Sequence, residues 1–194
     1  MKSLILASGS ESRREILEQT GFPFIVEPSD YEENMNLDMT PDDLAIFLSI
    51  GKAHAVAQHH KSAVILAADS FGVFKGELLG KPHTTARAKE MLAMLSDQCH
   101  SFITGFTIID SDTLQEYSEA VETKVYFKAI TPSEIDNYLA HEHVLDKAGA
   151  YSVQGQGAKF ISRIEGDAKN VRGLPLERVI RALANFGIHM KQGQ

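Results

Sequence analysis

The chain has 194 residues, of which 43% are hydrophobic and 23% charged, so it is long enough for a buried core and has a globular composition. Its formal net charge of −7 disfavours a nucleic-acid polymer as partner, and an anionic ligand would need a local cluster of cations or a metal. The sequence contains no run of 18 apolar residues, so no membrane span is predicted. It contains a single cysteine, so an intrachain disulfide is excluded, and we expect a cytoplasmic protein.

The hydrophobic pattern predicts alternating strands and helices in one domain over residues 1–190, followed by a short tail over 191–194. Strands are predicted over 3–7, 62–68, 101–110, 117–127 and 159–164, and helices over 13–19, from 41 onward, and over 85–95, 131–140 and 175–186. The strand at 117–127 alternates apolar and polar residues, which is typical of antiparallel pairing. We therefore expect an α/β (α+β) domain with a mixed central sheet flanked by helices.

The long helix from residue 41 has a clear start signal. Thr40 is predicted as its N-cap and Pro41 occupies the first helical position. One face of the helix is predicted to carry Leu44, Phe47, Leu48, Gly51 and Ala55. Lys52 lies at the edge of this apolar stripe, where it is either a functional cation or a lysine whose stem covers apolar surface.

The loop between the first strand and the first helix is rich in hydroxyl groups and guanidinium groups. It reads Ser8-Gly9-Ser10-Glu11-Ser12-Arg13-Arg14. Free N–H groups at a helix N-terminus favour an anion, and arginine binds phosphate oxygens in a bidentate way. An ordinary N-cap with two solvated arginines is an equally good interpretation of this loop.

A carboxylate follows the buried strand at 62–68. Asp69 is predicted to lie at the end of this strand, with Ser70 after it. Ligands of open α/β sheets bind beyond the carboxyl ends of strands, where a carboxylate holds a metal or activates water. The alternative is an aspartate that only begins a turn.

Three further segments contain residues with the chemistry of a nucleotide site. Lys81, between a glycine and a proline, is either a phosphate contact or a solvated loop residue. Glu32 and Glu33, in Asp30-Tyr31-Glu32-Glu33, suit Mg²⁺ but also suit a solvated loop. Gln154 lies in a glycine-rich stretch and can both donate to and accept from a base edge, although a bulged strand has the same composition.

Taken together, these segments resemble the Maf family, also called septum-formation-inhibitor-like proteins, over nearly the whole chain. The matching motifs are Leu-Ala-Ser-Gly-Ser-x-x-Arg at 6–13, the acidic pair at 32–33, Lys-Ala at 52–53, Ala-Asp-Ser at 68–70, Leu-Gly-Lys-Pro at 79–82, Met-Leu-x-x-Leu-Ser at 91–96, Ile-Thr-Gly at 103–105, Asp-Lys-Ala-Gly-Ala-Tyr-x-x-Gln-Gly at 146–155 and Gly-Leu-Pro-Leu at 173–176. Each motif is weak alone, whereas the ordered set is specific.

The resemblance implies a nucleoside triphosphate pyrophosphatase that releases a nucleoside monophosphate and pyrophosphate. It also implies an elongated two-lobed domain similar to inosine-triphosphate pyrophosphatases, a homodimer, and Mg²⁺ or Mn²⁺ as cofactor. By motif match, Asp69 is the catalytic acceptor and the phosphates are surrounded by Ser8, Ser10, Arg13, Lys52 and Lys81. Asp69, Glu33 and Glu32 are the expected metal ligands, and the remaining expected substrate contacts are Ser12, Arg14, Ser70 and Gln154.

The base preference is less defined than the reaction. Gln154 favours dTTP and UTP, whereas Ser12 and Ser70 depart from the family's pyrimidine-specific pattern and leave a modified nucleotide open. The pattern of 7-methylguanosine-triphosphate enzymes, with Trp at position 12 and Glu at 154, is absent from the sequence. Two alternatives are a nucleotide-binding regulator of septation with little turnover and a purine-type house-cleaning enzyme.

Overall fold

A computed structural model describes residues 2–189. Strands in this part of the chain occupy Ser3–Leu6 (β1), Phe24–Val26 (β2), Ala63–Phe74 (β3), Glu77–Leu79 (β4), Cys99–Asp110 (β5), Glu116–Phe127 (β6) and Ile161–Glu165 (β7). Helices occupy Glu11–Glu18 (α1), Pro41–Ala57 (α2), Thr85–Leu95 (α3), Pro132–His141 (α4), Ala168–Val171 (α5) and Leu176–Ala184 (α6), with 3-10 turns at Ala148–Ala150 and Gly155–Phe160.

The strands form one mixed sheet in the order β2-β1-β3-β5-β6-β7, with β4 paired to β3. β1 runs parallel to both β2 and β3, whereas β6 and β7 are antiparallel. Alternating strands and helices with mixed pairing confirm the predicted fold class. None of the helices described in residues 2–189 is long and apolar enough to cross a membrane.

The described chain divides into two compact units. The first unit comprises 2–70, Thr104–Val121 and 172–189, and the second comprises Phe71–Ile103 and Glu122–Val171. The single domain over 1–190 stays a prediction, and the expected tail over 191–194 lies outside the described residues.

In the first unit, alternate residues of β3 face two different helical layers. Ala63, Ile65 and Ala67 share a core with Ala53 and Val56 of α2. On the opposite face, a second core contains residues of β3 together with residues of α1 and α6, including Val64, Leu66, Ala68, Ile16, Leu17, Val179 and Leu183. Because successive strand side chains point to opposite faces, this alternation decides which helix each following β3 residue meets.

The predicted end of β3 at Asp69 is wrong, because the strand continues to Phe74. β3 pairs with β1 only over Ala63–Leu66 and then pairs with β4 from Gly72 onward. Along its other edge β3 neighbours β5, so the strand belongs to the sheet beyond the apolar run that the sequence shows. Asp69 lies in the interval between the pairings with β1 and β4.

The face of α2 that packs inward also differs from the predicted stripe. Phe47 is 39% exposed, whereas Ala45 and Ser49 are buried together with Leu44 and Leu48. The difference arises at Gly105 of β5, where an added Cβ would lie 2.5 Å from the Ile46 backbone nitrogen and closer still to the Ala45 carbonyl. This close approach turns Ala45 toward the sheet and Phe47 toward solvent.

The second unit has its own apolar core, built from α3, α4, the adjoining parts of β5 and β6, and the two 3-10 turns. The predicted capping box of α4 is confirmed, because the Thr131 side chain accepts from the Glu134 N–H and Glu134 bonds back to the Thr131 N–H. α3 has the predicted bounds. The sequence missed β2, β4 and α5, which are too short to show a hydrophobic period.

Candidate active site

Asp69 lies on the α2 face of the sheet, as the alternation along β3 requires. It follows Ala63, Ile65 and Ala67 at two-residue spacing, and it is only 7% exposed. β1 pairs with β3 only as far as Leu66, so Asp69 lies beyond the carboxyl end of the parallel pair. The fold therefore brings a nearly buried carboxylate to the edge where open α/β sheets bind their ligands.

Lys52 of α2 joins two carboxylates. Its Nζ atom contacts Asp69 Oδ1 and lies 2.7 Å from Glu33 Oε1. The side chains of Lys52 and Asp69 are 12% and 9% exposed, so this pair is largely removed from water, whereas Glu33 is 44% exposed. The structure thus brings together three residues that the sequence placed in separate segments.

Arg13 of α1 is held by three oxygen atoms of the first unit. Its Nε donates to the Gly173 carbonyl at 2.8 Å, and its terminal nitrogens donate to Ser70 Oγ at 2.9 Å and Ser8 Oγ at 3.2 Å. Burial lowers the pKa of this guanidinium below its usual value, while the negative charges of Asp69 and Glu33 act in the opposite direction. The two negative charges therefore favour the protonated guanidinium that burial disfavours.

Two residues that the sequence did not assign complete the environment of Arg13. The Thr104 hydroxyl is 2.9 Å from Ser70 Oγ, and Gly173 supplies the carbonyl that binds Arg13. Both residues lie in motifs of the ordered set, Ile-Thr-Gly and Gly-Leu-Pro-Leu, and that membership was the available signal. Their contacts join distant segments of the chain, so local spacing could not reveal them.

The remaining residues of the first loop have separate roles. Ser10 is the N-cap of α1 and accepts from the Arg13 N–H, as the ordinary capping interpretation required. Ser12 donates to the Arg172 carbonyl at 3.0 Å. Arg14 is exposed and pairs with Glu11 and Glu18 on its own helix, so the structure does not bring it to Asp69.

Lys81 and Gln154 belong to the second unit. Both are exposed, with Lys81 in the loop after β4 and Gln154 directly before the second 3-10 turn. The Gln154 N–H donates to Ser152 Oγ at 3.2 Å. Their roles toward a substrate stay predictions.

Asp69 and Glu33 are the residues of this cluster with the chemistry of ligands for a divalent cation. Asp69 and Glu33 converge on the same Lys52 nitrogen, so one oxygen of each faces a common point. Mg²⁺ bound to nucleotides is commonly held by one or two carboxylates, with phosphate and water as the other ligands. Within residues 2–189 no group of three His, Cys, Asp or Glu side chains forms a metal cage, and Glu32 is exposed.

Fold and geometry together define an α/β protein in which carboxylates and cations converge beside the carboxyl end of a parallel strand pair. The family model described as "Maf-like protein" matches residues 3–186. The chain belongs to the Maf family, which confirms the resemblance seen in the sequence.

Relatives named dTTP/UTP pyrophosphatase match almost the full length of the chain. It is 42% identical over 188 residues to a dTTP/UTP pyrophosphatase of Bacillus cereus, a match covering 97% of this chain and 92% of that protein. It is 43% identical over 189 residues to a dTTP/UTP pyrophosphatase of Methanosarcina mazei, covering 97% and 96%. A HAM1 protein from Coxiella burnetii has the same fold, with a TM-score of 0.54 and 17% identity over 95% of this chain and 100% of that chain.

Proposed function

We propose that this protein is a nucleoside triphosphate pyrophosphatase that converts dTTP and UTP to the monophosphates and pyrophosphate. The observation that carries the proposal is the cluster of Asp69, Lys52 and Glu33, with Arg13 bound to Ser70, the residue after Asp69. The names of the relatives from Bacillus cereus and Methanosarcina mazei support the choice of substrate.

The geometry of Ser70 makes its departure from the pyrimidine-specific pattern less important. That pattern has threonine at this position, and the contacts that matter here belong to the hydroxyl group, which accepts from Arg13 and bonds to Thr104. Serine keeps the hydroxyl and loses only a methyl group. Ser12 differs in kind, because its hydroxyl is committed to the Arg172 carbonyl and not to the Arg13 network.

In the proposed reaction, a water oxygen forms a bond to the α-phosphorus. The bond between the α-phosphorus and the oxygen that bridges it to the β-phosphorus breaks, and its electron pair leaves with pyrophosphate. Asp69 accepts the proton of the attacking water, and Lys52 holds that carboxylate in place. Arg13 stabilises the negative charge on the leaving group, with Lys81 as a further expected contact. A Mg²⁺ or Mn²⁺ ion held by Asp69 and Glu33 would acidify bound water and screen the triphosphate charge.

The proposal extends to the setting of the enzyme. A pyrophosphatase of this kind removes nucleotides from the pool, which is a house-cleaning role, and we propose a homodimer in the cytoplasm. Sedimentation analysis of the purified chain gives the oligomeric state, and a monomer at all concentrations would contradict the dimer.

Asp69→Asn tests the role of the carboxylate. Because removal of a positioned base commonly lowers the rate by about 10²–10⁴-fold, we expect a loss of that size in kcat for dTTP and UTP. Asp136→Asn is the matched control, since Asp136 is an exposed partner of Lys89 and should leave the rate unchanged. Undiminished turnover of every triphosphate by Asp69→Asn would contradict the assignment.

A screen of canonical and modified triphosphates tests the substrate and the metal. Pyrophosphate release is measured with and without Mg²⁺, and we expect the largest kcat/KM for dTTP and UTP and strong dependence on the cation. A higher kcat/KM for a modified or purine nucleotide would revise the substrate. Binding without release of pyrophosphate would instead favour a regulatory protein.

A further inference from the structure

Glu33 lies in a stretch of chain that has no regular structure to hold it. Residues 27–40 form neither helix nor strand. The hydrogen bonds described between 31 and 39 are local, such as Tyr31 N–H to Ser29 Oγ and Asn36 N–H to the Asn34 side chain. Contacts to other elements must therefore determine where Glu33 lies.

Tyr31, which precedes Glu32 in this segment, makes such a contact with α2. A Cβ added to Gly51 of α2 would lie 2.7 Å from Tyr31 Cε1 and closer still to Cζ and Cε2. Atoms at such distances overlap, so the ring occupies the space that any other residue at 51 would fill with its side chain. Glycine is unfavourable inside a helix, which makes the absent side chain at this position notable.

The contact between Tyr31 and Gly51 lies close in sequence to Lys52 and Glu33. Gly51 precedes Lys52 on α2, and Tyr31 is two residues from Glu33, a span of at most about 7 Å of chain. The Lys52–Glu33 ion pair joins only the ends of two long side chains, and water competes for the Glu33 carboxylate, whose side chain is 44% exposed, so the pair does not by itself fix the backbone at Glu33. The ring in the gap at Gly51 supplies the fixed point that the ion pair lacks.

We propose that Tyr31 is a positioning residue that places Glu33 against Lys52 by packing into the gap at Gly51. The consequence for catalysis rests on the function proposed above, whereas the packing itself does not. Tyr31 acts through Glu33, so its removal matters only while Glu33 carries its charge.

A double-mutant cycle on activity tests the link between Tyr31 and Glu33. Tyr31→Ala should lower kcat/KM by about 10–100-fold, the usual effect of losing a supporting partner of a metal ligand, and raise the Mg²⁺ concentration required. Tyr31→Phe keeps the ring and should behave as the wild type. The double variant with Glu33→Gln should lose no more than Glu33→Gln alone, and fully additive losses would overturn the proposal.

A second cycle tests the packing without reference to activity. In the wild-type background, Gly51→Ala forces the Tyr31 ring out of its position and should lower Tm or leave it unchanged. In the Tyr31→Ala background the three atoms closest to the added methyl group are absent, and the helix preference for alanine should raise Tm. Equal Tm shifts in both backgrounds would overturn the packing claim, even if no nucleotide proves to be a substrate.

Mn²⁺ binding separates the two claims further. Titration followed by electron paramagnetic resonance should give weaker Mn²⁺ binding for Tyr31→Ala than for Tyr31→Phe, because Glu33 is then displaced from Asp69. Equal Mn²⁺ affinity in the two variants would contradict the positioning role. If the packing cycle succeeds, Mn²⁺ binding is weaker for Tyr31→Ala and no nucleotide is hydrolysed, the proposed function fails while the role of Tyr31 in placing Glu33 stands.

Discussion

Arg13 depends on three short stretches of chain that are far apart in sequence. Its oxygen partners come from the first loop, from β3 and from the segment before α6. The backbone of Gly173 is the most constrained among the three partner residues, because its φ is +100° and an added Cβ would lie 3.2 Å from Arg13 Nε. The carbonyl can face the guanidinium because this residue is a glycine.

Gly173→Ala should therefore reduce both stability and activity. The left-handed backbone should cost about 1–3 kcal/mol in the free energy of unfolding, and the displaced guanidinium should lower kcat/KM. Gly187→Ala is the matched control, since φ is +76° and nothing lies within 4 Å of its Cβ position. Chemical denaturation should show losses in both variants, whereas only Gly173→Ala should lose activity. Equal kcat/KM for the two variants would remove Gly173 from the Arg13 network.

The sequence predicted the residues at this scale better than their contacts. Asp69, Lys52 and Glu33 were singled out from a strand, a helix and an acidic run, and the structure brings them together. Tyr31 and Thr104 were not assigned a role, since each acts through a contact with a distant segment. Arg14 was assigned a role that its contacts do not support. Its residue type and position suited phosphate binding, but it pairs with acidic residues of its own helix.

At the scale of elements, α2 is positioned by a contact between backbones. Gly105 of β5 leaves room for the main chain at Ala45 and Ile46, and this approach orients the helix that carries Lys52. The starts of α2 and α4 were predictable because Thr40 and Thr131 cap locally, whereas α1 begins at Glu11, two residues before its predicted start. The sequence did not predict which face of α2 packs inward, because much of the helix circumference is apolar. The close approach of α2 to Gly105 determines that face.

Gly105→Ala should destabilise the protein without changing its polar groups. The added methyl group overlaps main-chain atoms that cannot rotate away, so we expect a loss of about 1–3 kcal/mol or more in the free energy of unfolding. Gly80→Ala is the control, since nothing lies within 4 Å of its Cβ position. The denaturation midpoints of the two variants give the comparison, and a midpoint for Gly105→Ala equal to that of Gly80→Ala would mean that α2 can shift at little cost.

At the scale of the whole molecule, an acidic chain carries two cations whose charges are matched by its candidate catalytic carboxylates. The net charge is −7, and Lys52 pairs with Asp69 and Glu33, so the positive charges of Arg13 and Lys52 are equal in number to these two negative charges. The sequence required a local cluster of cations or a metal for an anionic ligand. We therefore expect a triphosphate to bind together with a divalent cation, as in the proposed reaction.

The buried imidazole of His100 should make stability depend on pH. His100 is 2% exposed, lies 2.6 Å from the Tyr151 hydroxyl through Nε2, and leaves Nδ1 without a hydrogen bond among the described atoms. Burial lowers the pKa of His100 from 6.5 to about 4. Between these two values the unfolded chain binds the extra proton and the folded protein does not, so stability falls as the pH falls.

We expect the free energy of unfolding to decrease by about 2 kcal/mol from pH 7 to pH 5 through His100 alone, at about 1.4 kcal/mol per pKa unit. Denaturation curves of the wild type and His100→Gln across this range isolate the effect. The slope of stability against pH should be smaller in the variant, because glutamine does not titrate. Parallel slopes would show that His100 is not held neutral in the folded state.

The alternation along β3 gives the length of this strand a meaning beyond stability. Side chains at odd-numbered positions of β3 face the core with α2, and those at even-numbered positions face the core with α1 and α6. Asp69 therefore contacts α2, and Ser70 contacts α1. Inserting one residue between Ala63 and Ala68 would exchange the parity of the two side chains, so the carboxylate would meet Arg13 and the hydroxyl would meet Lys52. A residue inserted at 34–40, after Glu33 and in a segment without regular structure, would leave the parity of Asp69 and Ser70 unchanged.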